Sequence, residues 1–196
     1  MIEKPASKWL AENLPTGAVL GYDPWRTTAD GVERLEKAAK EAGARLAAAS
    51  ENPIDAVWRE RPTPPLTPVV LHDAQYSGEE AAAKITRIRD VLAKDKIGVA
   101  VLSDPASVAW TFNIRGNDVA HTPLPLSWAI LPREGEPQIF VDSRKLSNEV
   151  RDALGKLADV REPRELEVEL HEAARGKSVR LDQSTAPAKL AEIDFE

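Results

Sequence analysis

Residues 104–130, DPASVAWTFNIRGNDVAHTPLPLSWAI, decide how the chain is read. Asp104 can cap a helix and Pro105 suits its first turn, where a missing N–H costs nothing. Val108, Ala109, Trp110 and Phe112 then supply apolar surface before the pattern breaks. Asn113, Arg115, Gly116, Asn117, Asp118 and His121 crowd into the next nine residues, closed by Pro123 and Pro125, and an apolar strand follows from Ser127. A polar loop held between two apolar anchors presents side chains to a ligand or to a neighbouring domain. The competing reading is an ordinary loop whose Arg115 and Asp118 pair with each other.

Outward from this stretch the pattern is α/β. Residues 4–14 read as an amphipathic helix, 18–22 and 45–49 as strands, and 30–42 as a helix opened by a capping box of Asp30 and Glu33 and closed by Gly43. Strands this few do not make a stable sheet alone. Asn52–Trp58 reads as a helical turn, and RPTPPLTP (61–68) puts four prolines into eight residues, a stiff extended connector. Ser77 and Glu80 offer a second capping box before the stripe Ala81, Ile85, Ile88 and Leu92. Glu80–Lys84 and Asp90–Lys94 read as i,i+4 pairs on its solvent side. IGVAVL (97–102) is a strand covered on both faces. Ser127–Leu131 and Gln138–Val141 form a hairpin through Glu134-Gly135. Helices at 146–154 and 163–175 alternate with short strands at 159–161 and 179–181. The expected architecture is a mixed sheet flanked by helices.

The bulk numbers narrow the function classes. The chain has 196 residues, 42% of them hydrophobic, enough to bury a core. A net charge of −6 without a long basic run argues against a dedicated nucleic-acid or membrane surface. With no cysteine there is no disulfide, thiol nucleophile or thiolate metal site, which fits a reducing cytoplasm. MIEKPASKWLAENLP has no apolar run suited to a signal peptide, and nothing approaches a membrane span. A cytoplasmic location is the expectation.

Catalytic patterns are sparse. His72, His121 and His171 lack metal-ligand spacing, no serine sits in a G-x-S-x-G turn, and the glycines are too isolated to cradle phosphate. Asp23, Asp104, Asp142 and Asp182 lie at strand ends, where carboxylates can gather around Mg²⁺ or Mn²⁺ as in a metal-dependent nuclease. The simpler reading is that each caps the segment after it. Trp110 and Trp128 bracket the polar loop and stiffen it.

Two elements carry a resemblance. A-W-x-x-N-x-R-G-x-D-x-x-x-x-P-x-x-x-S-x-A fits from Ala109 to Ala129, and N-P-I-D-A-V-W-x-x-R-P fits from Asn52 to Pro62. Both are similar to the three-domain Xaa-Pro aminopeptidases (aminopeptidase P) of the creatinase/prolidase superfamily. The resemblance implies a creatinase N-terminal-like, ribonuclease H-like fold, preceded by part of a second similar domain. It implies boundaries of 1–60 for the end of a first domain, 61–75 for a proline-rich linker, 76–185 for a second domain and 186–196 for the start of a connection to a catalytic domain. A first domain entered halfway would leave an open sheet edge needing cover, elsewhere or on a second copy.

In that family two metal ions, usually Mn²⁺, are held by two Asp, one His and two Glu in a C-terminal domain, and no residue here matches those ligands. The implied role is non-catalytic. Asn113, Arg115, Asp118, His121 and Trp110 would face the substrate entrance or buttress the catalytic domain. The implied partners are that domain, proline-containing peptides and a possible second copy, with no nucleic acid and no membrane. Two other readings remain open: a stand-alone creatinase-fold interaction or dimerisation module, and the nuclease.

Overall fold

The computed structural model describes residues 4–193. They divide into two compact units, one from the residues up to Pro62 together with Gln183–Glu192, the other from Thr63–Asp182. The ends of the expected first domain and of the expected connection, residues 1–3 and 194–196, lie outside the described residues.

In the first unit α1 (Ala6–Asn13) packs on α2 (Ala29–Glu41), and β1 (Val19–Tyr22) pairs in parallel with β2 (Arg45–Ala48). The cap of α2 differs from the expected Asp30–Glu33 box. Thr28 is the N-cap and its hydroxyl accepts the Gly31 N–H at 3.1 Å, so Asp30 lies inside the first turn, where a carboxylate favours the helix dipole. Asn52 caps the short α3 (Pro53–Val57) by accepting the Ile54 N–H at 2.9 Å. A two-stranded sheet covers little. Trp58 is 50% and Val57 75% exposed, with Trp9, Val19 and Ile54 also open.

The second unit is built on a five-stranded sheet. β3 (Val70–Leu71), α4 (Ala74–Ser77) and α5 (Ala81–Lys94) lead into β4 (Val99–Leu102) and α6 (Pro105–Phe112). β5 (Ile114–Arg115), β6 (Trp128–Pro132), β7 (Gln138–Phe140), α7 (Asn148–Leu154), β8 (Asp159–Arg161), α8 (Leu166–Ala174) and β9 (Val179–Arg180) follow. The sheet order is β8-β7-β6-β4-β9. The β4/β6 and β6/β7 pairs are antiparallel, and β7/β8 and β4/β9 are parallel, so the sheet is mixed as expected, with the hairpin between β6 and β7. β3 pairs with β5 apart from it. The remaining helix, α9 (Ala188–Ala191), lies in the stretch read as a connection and folds with the first unit: Ala188 N–H donates to Thr27 O at 2.9 Å.

Alternate residues of β4 and β6 meet different helices, and both sets are buried, as the continuous apolar run requires. Ala100, Leu131 and Ile139 join Ile85 and Leu92 of α5, Val108 and Phe112 of α6, and Val150 and Leu154 of α7 in one core. Val99, Val101, Ile130 and Phe140 are buried too, and α8 packs on β6 with Leu166, Leu170 and Ala174 inward. The Ser77–Glu80 box is not formed. Ser77 ends α4, which Asp73 caps and the left-handed Gly78 terminates; Glu80 precedes α5 without a side-chain bond to it.

Candidate functional site

The polar loop hangs from the C-terminus of α6. Asp104 accepts the N–H groups of Ala106 and Ser107 at 3.1 and 3.2 Å, which starts the helix where the sequence placed it. The helix ends at Asn113, a non-glycine residue held left-handed at φ 52°. A short polar side chain tolerates that conformation, and here it is also tied down. Asn113 Nδ2 donates to Glu79 O at 2.8 Å, its Oδ1 accepts from Lys84 Nζ at 2.6 Å, and its carbonyl accepts the His72 N–H at 2.7 Å.

Lys84 was expected on the solvent face of α5. It is 1% exposed. Its position one turn from both Ala81 and Ile88 puts it on the apolar stripe, and its ammonium also donates to Trp110 O at 2.9 Å and stands 4.6 Å from the centre of the Trp110 ring. Burial lowers the Lys84 pKa; Glu79 opposes it, and the nearby Arg115 and Arg87 add smaller effects in the direction of burial. Arg87 flanks the same indole at 5.4 Å while bonding Glu79.

Beyond Ile114 the loop closes on itself. Gly116 N–H donates to Pro123 O at 3.3 Å and Asp118 N–H to Leu124 O at 3.2 Å. Gly116 packs so tightly on Pro125 that a Cβ there would lie 2.9 Å from the proline nitrogen. The carboxylate of Asp118 turns inward. It accepts the Leu126 N–H at 2.7 Å and bonds the Thr67 hydroxyl and the Lys145 ammonium. Burial would raise the Asp118 pKa, but the bonds from Lys145, Thr67 and Leu126 outweigh it and hold the carboxyl below its usual range. At the tip Val119 bridges Thr122, and His121 sits exposed in the left-handed region at φ 59°.

The five expected site residues therefore do not converge. Asn113 and Asp118 are interior fasteners of the loop. Arg115 is half-buried and donates to Ile114 O at 2.8 Å and Ala109 O at 3.3 Å, so it does not pair with Asp118. Trp110 and His121 remain open. Lys84, Lys145 and Thr67 complete the arrangement and were missed. Only Lys84 carried a signal, its place on the stripe.

The strand-end aspartates are occupied as local braces. Asp23 accepts the Trp25 N–H and the Asn52 side-chain amide at 2.8 and 2.7 Å, and Asp142 accepts the Arg144 N–H at 3.0 Å. Asp104 caps α6, and Asp182 has a partner as well. Among the described residues no three His, Asp or Glu side chains come together as a metal centre would need. The described residues therefore do not fit a metal-ion pair.

The family model for the Creatinase/Prolidase N-terminal domain matches residues 60–194, which contain the loop and every residue that fastens it. The chain belongs to the creatinase/prolidase N-terminal domain family. Among the relatives of this creatinase-type chain, a probable Xaa-Pro aminopeptidase P of Paracoccidioides brasiliensis is 37% identical over 149 residues, covering 76% of this chain and 24% of the relative. Aminopeptidase P1 of Lotus japonicus is 34% identical over 153 residues, 78% of this chain and 23% of its own length. The creatinase-type chain thus spans about a quarter of the curated relatives it matches. The crystal structure of an X-prolyl aminopeptidase from Caenorhabditis elegans, described as a cytosolic enzyme with a di-nuclear active site, superposes with a TM-score of 0.86 at 27% identity, over 96% of this chain and 32% of that one. Among the described residues no helix is long and apolar enough to cross a membrane.

Proposed function

We propose that this chain is the non-catalytic N-terminal region of a metal-dependent Xaa-Pro aminopeptidase, in which it shapes the active-site entrance and contacts a catalytic domain. One observation carries the reading. Almost the whole chain superposes on about a third of an X-prolyl aminopeptidase with a di-nuclear site, while the described residues hold no metal-ligand cluster. In the longer protein the metal pair, with Mn²⁺ as the expected ion, sits in that catalytic domain, where two metals activate a water and polarise the scissile carbonyl. The substrates are peptides with proline at the second position, and the location is cytosolic.

Within this reading the loop has two kinds of residue. Asn113 and Asp118, with Lys84 and Lys145, hold its shape from inside, while His121, Arg115 and Trp110 face the entrance or the catalytic domain. The first unit is part of a larger domain whose sheet extends beyond two strands. The test is hydrolysis of an Xaa-Pro peptide with Mn²⁺ present. The isolated chain should give no turnover above blank, and a longer protein carrying a ligand set of two Asp, one His and two Glu should cleave. Turnover by the chain alone overturns the reading.

A second reading, a self-standing interaction or dimerisation module, is favoured by the open Val57 at the end of α3 and Trp58 just after it. The open reading frame around the chain separates the two. A downstream reading frame encoding two Asp, one His and two Glu as a ligand set supports the region of a larger enzyme, and a stop codon supports the module.

A further inference from the structure

The first unit contains a cleft that the loop does not account for. Its volume is about 660 Å³, and it opens at the carboxyl ends of the parallel strands β1 and β2. That is the end of an α/β sheet where successive turns leave a crevice and ligands collect. Its walls include Asp23, Trp25 and Arg26 after β1, Ser50 and Asn52 after β2, and Lys189 of α9.

The walls are fixed. Asp23 bonds the Asn52 side-chain amide and the Trp25 N–H, so one carboxylate joins the two strand-end turns. Arg26 and Thr27 N–H both donate to Asp23 O, at 3.1 and 3.0 Å, and Lys189 N–H donates to Pro24 O at 3.0 Å. Trp25 and Arg26 follow one another in this tight turn and both line the cleft while exposed, the indole by 41%. Most of the cleft's charges are already engaged. Asp55 bonds Arg61 at 2.5 Å, Glu192 accepts from the Tyr22 hydroxyl at 2.9 Å, and Lys189 has a partner. Arg26 differs. Among the described residues no carboxylate lies within ion-pair reach of its guanidinium.

We propose that this cleft binds the C-terminal end of a short proline-containing peptide, with a pyrrolidine ring against Trp25 and the terminal carboxylate on Arg26. A flat aromatic face is the surface that proline-rich segments dock on, and the guanidinium fork matches a carboxylate in two-point geometry. The choice of a prolyl peptide rests on the proposed function; the cleft, the open indole and the unpaired guanidinium do not. Every residue of the cleft belongs to the first unit.

The probe is Gly-Pro-Pro with a free carboxylate, followed by ¹H–¹⁵N NMR on the full chain. The expected result is saturable shifts at the Trp25 indole N–H and the Arg26 and Asn52 amides, with a dissociation constant of order 1 mM. The C-terminal amide of the same peptide and Gly-Ala-Ala should each bind at least about fivefold more weakly. Arg26→Gln should weaken the free acid by a similar factor without moving the melting temperature, and Trp25→Ala should remove the ring preference. The proposal is overturned if acid, amide and Gly-Ala-Ala shift the same signals equally. It is equally overturned if no shift occurs by about 10 mM, or if the shifts map to the His121 loop. These outcomes leave the proposed function standing, because that depends on turnover by the longer protein; failure of turnover there leaves binding here untouched.

Discussion

Lys145 and Asp118 form a buried ion pair, with side chains 3% and 0% exposed. The pair closes the loop onto the stretch just ahead of α7, and the Leu126 N–H and Thr67 hydroxyl donate to the same carboxylate. Removing one partner leaves the other charge stranded, which costs about 3–5 kcal/mol, whereas removing both costs much less. Asp118→Asn and Lys145→Met should therefore each destabilise strongly in urea unfolding, and the double variant should fall well short of their sum. Additive losses would show that the pair is not coupled.

The same pair fixes an acid response. The folded pKa of Asp118 lies below its ordinary 3.8, so its contribution is fully present above that value and fades as pH falls through the folded one. Asp142 behaves alike: bonds from Arg144 bring it down to about 2 against a weaker opposing effect of burial. Arg144 is 65% exposed and can leave the pair for water, so the pair's share of the stability is small. Unfolding free energy should decline between about pH 4 and pH 2, and Asp118→Asn should remove most of that slope. A flat profile in the wild type would contradict the assignment.

Lys84 acts in the same sense at the alkaline end of the scale. Its folded pKa is below the ordinary 10.5, so the unfolded chain binds the proton more tightly and stability rises with pH as 10.5 is approached. Lys84→Met removes that rise. It also leaves Asn113 Oδ1 and Trp110 O without their donor, at a cost of about 1–3 kcal/mol at neutral pH. Chemical denaturation at several alkaline pH values reads both effects, and a wild-type curve that falls toward pH 10 would refute the first.

Gly116 tests how closely the loop is packed. A methyl group there would meet Pro125 at 2.9 Å, against backbone that cannot swing aside. Gly116→Ala should cost about 1–3 kcal/mol and raise amide exchange across residues 117–125. An unchanged melting temperature would mean that the loop yields freely.

These fasteners explain what could be read from the chain and what could not. α6 was legible because Asp104 and Pro105 are local signals, and β4 because a run of apolar residues buried on both faces needs no partner to be recognised. Lys84 was misplaced because its charge argued for solvent while its spacing argued for the core, and burial was made tolerable by acceptors 26 and 29 residues away. The cap of α2 was misplaced because Thr28 and Asp30 both suit an N-cap and only the helix start chooses between them. Thr67 and Lys145 left no trace: they meet Asp118 across 51 and 27 residues, which no local pattern encodes.

His121 separates holding a shape from using it. Its side chain is exposed at the loop tip, so His121→Ala should change the stability of this chain by less than about 0.5 kcal/mol. In a longer protein with the catalytic domain, the same change should raise KM for an Xaa-Pro peptide several-fold with kcat little altered, because uniform binding is lost rather than transition-state stabilisation. Asp118→Asn should instead lower stability and perturb both constants together. Steady-state kinetics beside thermal unfolding reads the distinction. If His121→Ala leaves KM untouched, the tip does not meet substrate, and the loop's exposed face serves contact with the catalytic domain alone.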